Sequence, residues 1–117
     1  MALGKFQGVI RATTPSGLQY QILRAGDGRR PAASDSVTVD YKGSLIDGKE
    51  FDSGKGISFP LDGVIPGWTE GLQLMKEGAK YRFFIPSALA YGESGMARVI
   101  PPNAVLIFEV DLVTVNR

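Results

Sequence analysis

Pro66-Gly67-Trp68-Thr69-Glu70-Gly71-Leu72-Gln73-Leu74-Met75-Lys76-Glu77-Gly78 is the one stretch of this sequence that reads as a helix. Proline suits a first helical turn, where its missing N–H costs nothing. Trp68, Leu72 and Met75 recur at i, i+4 and i+7 and draw a single apolar stripe. Gly78 is the expected stop. The flanking sequence alternates with a period of two. Residues 18–24 put Leu18, Tyr20 and Ile22 on one face, and residues 37–41 do the same with Val37, Val39 and Tyr41. Asp47-Gly48 signals a hairpin turn, with Glu50-Phe51-Asp52 beyond it. Residues 53–57 read as a flexible loop and 58–61 as a short edge piece. Residues 79–85 form a strand ended by Pro86, and 92–103 a Gly/Pro-rich loop. Along 104–115, Leu106, Phe108, Val110 and Leu112 share a face, while Glu109 and Asp111 point the other way. About five strands and one short amphipathic helix predict an α+β fold, an antiparallel β-sheet wrapped around that helix. Residues 1–17 lack a pattern, end in the turn signal Thr14-Pro15-Ser16-Gly17, and read as a leader or linker before one domain at 18–117.

Composition narrows the chemistry. The 117 residues are 44% hydrophobic and suit one domain with a real core. The 13 basic and 12 acidic residues leave a net charge of +1, with no clustered run of either sign. A nucleic-acid surface or a polybasic membrane segment would need such a cluster, so neither partner is expected. There is no Cys and no His. Thiolate catalysis, Ser-His-Asp triads and the usual zinc sites are excluded, and no metal or cofactor is expected. No stretch approaches the ~20 apolar residues of a membrane span, and the first residues do not read as a secretory signal.

Six strings in order carry a resemblance. They are Val39-Asp40-Tyr41-Lys42-Gly43, Phe51-Asp52-Ser53, Val64-Ile65-Pro66-Gly67-Trp68, Ala90-Tyr91-Gly92, Ile100-Pro101-Pro102-Asn103-Ala104 and Leu106-Ile107-Phe108-Glu109-Val110. Each is weak alone. Together, over residues 16–115, the chain resembles the FKBP-type prolyl isomerases, and its Pro15–Tyr20 and Leu45–Gly48 strings resemble the catalytic domain of bacterial Mip-like members. The resemblance implies an FKBP-like fold and a peptidyl-prolyl cis/trans isomerase that assists protein folding. It implies Trp68 as a pocket floor, with Tyr41, Phe51 and Phe108 as apolar walls. Asp52 and Tyr91 would give polar contacts, the Ile65 N–H would bind a substrate carbonyl, and Val64 would line the pocket beside it. Val99 and Ile100 would overhang the pocket. Two rim positions depart from the family pattern: Ile57 stands where many members carry an aromatic, and Met96 where others carry His. The Asp52–Phe59 segment is also short. Implied partners are proline-containing polypeptides and the macrolides rapamycin and tacrolimus. The chain would be a monomer, or a dimer through an upstream segment. The compartment stays open between cytoplasm, periplasm and cell surface of a bacterium.

Pattern alone reads the same residues more plainly. Trp68 would be helix core, Tyr41, Phe51 and Phe108 sheet core, Asp52 a turn residue and Tyr91 a loop anchor. Arg24, Arg29 and Arg30 would be a solvated face. Rival functions are a non-catalytic proline-binding module, a chaperone whose upstream segment holds clients, and a sugar-cleaving carboxylate pair of Asp52 with Glu93. Asp52 could act electrostatically or by orienting its neighbours.

Overall fold

The computed structural model describes residues 11–96 and 99–116. Six strands form one antiparallel sheet: β1 Ala12–Thr13, β2 Gln19–Arg24, β3 Ser36–Leu45, β4 Glu50–Pro60, β5 Lys80–Ile85 and β6 Leu106–Asn116. Their spatial order is β1-β2-β5-β6-β3-β4. Among the described residues one α-helix, α1 at Pro66–Leu72, packs on the sheet. Among the described residues, no helix is long and apolar enough to cross a membrane.

The core follows the expected alternation. Leu106, Phe108, Val110 and Leu112 of β6 are buried against Val37 and Val39 of β3 and Tyr81, Phe83 and Ile85 of β5. Two glycines let α1 approach closely. A Cβ on Gly67 would lie 2.5 Å from Ile85 Cγ2, and one on Gly71 would lie 2.7 Å from Phe83 Cε1. That close seating turns Trp68 inward over the sheet. Thr69 Oγ1 donates to the Leu61 carbonyl at 2.6 Å and ties the helix to the 3-10 turn at Leu61–Gly63.

Four expectations change. The helix stops at Leu72, well before Gly78. Gln73 Nε2 takes the Thr69 carbonyl that a further turn would use. The next amides, Leu74 and Met75, bond three residues back, to Gly71 and Leu72. Met75 is still buried, delivered by this tight turn. Gly78, at φ +89°, instead anchors a turn whose N–H reaches the Leu112 carbonyl.

The supposed loop at 53–57 is strand: β4 runs unbroken, with two bulges, described below. In β2, Gln21 is buried and Ile22 exposed, the reverse of the apolar pattern. Tyr20 stacks on Tyr81 at 5.6 Å, but Ile22 near the sheet edge is half exposed. On the opposite face Gln21 Oε1 accepts from Arg82 Nη1 at 3.1 Å, and Arg82 also pairs with Glu109. Lastly, Ala12 and Thr13, expected in the leader, pair with β2. The remainder of that expectation, residues 1–10, lies outside the described residues.

The arginines at 24, 29 and 30 are exposed yet engaged. Arg24 bonds Asp111 and the Gly78 carbonyl, and Arg29 bonds the Val115 carbonyl. Arg24 thus holds the middle of β6 and Arg29 its end.

Candidate functional site

Between α1 and the sheet lies a cavity of about 460 Å³. It is lined by Tyr41, Asp52, Ile57, Phe59, Gly63, Val64, Ile65, Trp68, Tyr91 and Phe108. Trp68, only 7% exposed, forms its base. Three rings meet the indole edge-on: Phe108 at 5.1 Å, Tyr41 at 5.2 Å and Phe59 at 5.2 Å. Phe51 packs behind, edge-on to Phe108 at 5.5 Å. Such T-shaped pairs set ring positions as well as burying area.

Polar groups are few. The Tyr41 hydroxyl donates to Asp52 Oδ2 at 2.9 Å. Burial pushes the Tyr41 pKa from 10.0 up to about 12, with the Asp52 hydrogen bond and charge and nearby Tyr91 adding to it. The phenol is therefore a firm donor across the biological range. Ile65 caps α1, its carbonyl accepting from Trp68 and Thr69.

A strand bulge explains how two consecutive residues, Phe51 and Asp52, both serve this wall, one behind it and one in it. Gly43 opposes Asp52 and Ser44 opposes Glu50, so Phe51 is an extra residue in β4. A bulge puts two consecutive side chains on one side. Asp52 reaches Tyr41 while adjacent Phe51 reaches Phe108. Gly43 makes room: a Cβ there would lie 2.6 Å from Phe108 and 2.9 Å from Phe51.

The sequence-derived candidates Tyr41, Asp52, Ile57, Val64, Ile65, Trp68, Tyr91 and Phe108 converge on the cavity. Phe51, Met96, Val99 and Ile100 do not line it: Phe51 packs on Phe108 behind the wall. Met96 and Val99 are exposed on the following loop, and Ile100 is buried at 4% in the core. A backbone bridge between Met96 and Ile100 folds that loop on itself, sending Ile100 inward. Glu93 is exposed and also absent from the lining, so no Asp52–Glu93 pair is formed across the cavity. Phe59 was missed. Its distance from Asp52 has the wrong parity for a shared face, and only the second bulge of β4 corrects it.

The profile of FKBP-type peptidyl-prolyl cis-trans isomerases matches residues 27–113. The chain belongs to the FKBP family. It is 55% identical over 108 residues to a probable FKBP-type peptidyl-prolyl cis-trans isomerase, FkpA, of Neisseria meningitidis, covering 89% of this chain and 40% of that protein. It is 49% identical over 109 residues to the peptidyl-prolyl cis-trans isomerase Mip of Coxiella burnetii, covering 90% and 47%. The chain thus spans less than half the length of these two relatives. Its fold superposes on crystalline FkpA from Escherichia coli with a TM-score of 0.88 and 50% identity, covering 98% of this chain and 55% of that one. A Pseudomonas syringae peptidyl-prolyl cis-trans isomerase gives 0.90 and 40% identity, covering 98% and 87%. In this FKBP domain the cavity lies within the matched segment.

Proposed function

We propose that this domain catalyses cis/trans rotation about Xaa-Pro bonds in polypeptide chains and so assists their folding, with no cofactor. The observation that carries the reading is the aromatic well: Trp68 at the base, Tyr41, Phe59 and Phe108 edge-on around it, and one carboxylate held at its side by a phenol.

The chemistry suits such a well. The planar amide resists rotation by ~18–20 kcal/mol because of its partial double bond. At the twisted transition state resonance is lost and charge separation falls. No proton need move and no bond to a heavy atom need form, so a site without His or Cys suffices. A dry apolar well favours the twisted amide over the more polar planar one, which is differential binding. Acceleration by a thousandfold needs only ~4 kcal/mol of it.

In this reading the proline ring sits on Trp68 between Tyr41, Phe59 and Phe108, and Phe51 braces Phe108. The Ile65 N–H holds a substrate carbonyl, with Val64 beside it. Tyr41 fixes Asp52 so that its charge meets the rotating carbonyl from one direction, and Tyr91 lines the well near Tyr41. Ile57, with Met96 and Val99 beyond the well, meets residues flanking the proline, and Ile100 supports that loop from the core. The same well takes macrolides such as rapamycin and tacrolimus. The lining residues named above all belong to one chain, so this reading needs only a monomer.

The test is the isomerisation rate of an Ala-Leu-Pro-Phe peptide with and without the protein. The expected result is acceleration that rapamycin abolishes and that Asp52→Ala and Tyr91→Phe weaken. A folded chain that binds rapamycin without accelerating the peptide would leave a proline-binding module instead.

A further inference from the structure

The second bulge of β4 decides which residues face the cavity. Tyr41 opposes Gly54 and Val39 opposes Ile57, so the single residue Asp40 stands against both Lys55 and Gly56. Side chains alternate along a strand, and one extra residue exchanges the faces beyond it. Without it, Ile57 and Phe59 would point away from the side that Asp52 and Gly54 face. With it, Asp52, Ile57 and Phe59 line one cavity.

Gly56, at φ +61°, holds the reversal in a conformation that favours glycine. Its N–H donates to Asp40 Oδ1 at 2.8 Å. The bulge leaves Gly54 where a Cβ would lie 2.6 Å from Ile57 Cγ1 and 3.0 Å from Tyr41 Cε1. Ile57 and the Tyr41 ring therefore close over the same glycine. Asp40 itself is not in the cavity lining. It lies in a polar groove with Lys42, Lys55, Lys80, Glu109 and Asp111.

We propose that Asp40 is a positioning residue: by accepting the Gly56 N–H it locks the β4 bulge and so sets Ile57 on the rim beside Tyr41 and Asp52. This rests on the reading of the cavity as a proline site. It gives a residue outside the cavity control over the wall that the bound chain meets.

The test compares Asp40→Ala with Asp40→Asn, which keeps the acceptor. Asp40→Leu keeps bulk without an acceptor and serves should the alanine variant fail to fold. Binding of the Ala-Leu-Pro-Phe peptide is read from the fluorescence of Trp68, the chain's one tryptophan. Removing the acceptor is expected to weaken binding by about three- to tenfold, a loss on the scale of one modest contact. Asp40→Asn should restore it. In an Ile57→Ala background the Asp40→Ala effect should vanish. Equal binding by all variants, or an effect that persists in the Ile57→Ala background, would overturn the proposal. Nuclear Overhauser contacts between the Ile57 methyls and the Tyr41 ring give a readout that needs no ligand. They should survive in Asp40→Asn and fade in Asp40→Ala. If the wild type binds no peptide, the proline-site reading falls, and these contacts still decide whether Asp40 positions Ile57.

Discussion

The Tyr41 hydroxyl donates to Asp52 Oδ2 across adjacent strands, at 2.9 Å. Tyr41 stands on β3 opposite Gly54, while Asp52 stands opposite Gly43. The bond is therefore diagonal, and it points the carboxylate along the wall of the cavity. Removing the donor should let the carboxylate turn toward water. Tyr41→Phe is expected to lower kcat/KM for a proline peptide by about two- to tenfold, the equivalent of one hydrogen bond. Asp52→Ala should lower it further, and the double variant should lose less than the product of the two. Peptide kinetics on all three variants check this.

The same phenol gives a pH signature. Its pKa is raised from 10.0 to about 12 in the folded chain, chiefly by burial. A raised pKa means that folding favours the protonated form. Its contribution to stability is full below pH 10 and is lost as pH rises through 12. Near neutrality neither stability nor activity should respond to this group. Phenolate absorbance should show a late-titrating tyrosine that is lost in Tyr41→Phe, while Tyr81, also raised by burial, still titrates late. Asp52→Asn should bring the Tyr41 pKa down only part-way, since burial remains.

Gly71→Ala sets a helix gain against a packing loss. Alanine improves helix propensity by up to ~1 kcal/mol. Its Cβ would lie 2.7 Å from the buried Phe83 ring, and such overpacking costs ~1–3 kcal/mol. Packing should win. Urea unfolding should show a lower midpoint with an unchanged m-value.

On the outer face, Arg82 Nη2 pairs with Glu109 Oε2 at 2.6 Å, both side chains partly exposed. Solvent screens such a pair, and Glu109→Gln should cost under ~1 kcal/mol of stability. Its effect on the proline peptide should be nil, because Glu109 points away from the cavity. Parallel melts and peptide kinetics check this contrast.

Much of the fold was legible because β6 and β3 alternate cleanly and Pro66 announces the helix start. The helix end was not, since Met75 is buried by a turn and gives the same apolar spacing as another helical turn. The cavity was legible at Trp68, Tyr41, Phe108 and Asp52 through the ordered strings. Phe59 was hidden because the second β4 bulge interrupts its period, and glycines at 54 and 56 read as a loop. Ile100 fits the family string, but the Met96–Ile100 bridge turns its side chain into the core.

The sheet order carries a consequence for synthesis. β6 is the final strand in the sequence, yet it lies centrally, between β5 and β3. Its Phe108 is one wall of the aromatic well. A nascent chain still short of Leu106 holds two unjoined halves, β1-β2-β5 and β3-β4, with open edges and no finished cavity. The ribosome must release nearly the whole domain before those halves can be stitched together, and such long-range pairing folds slowly. The proposed proline site is thus absent until the last-made strand of the domain joins the sheet.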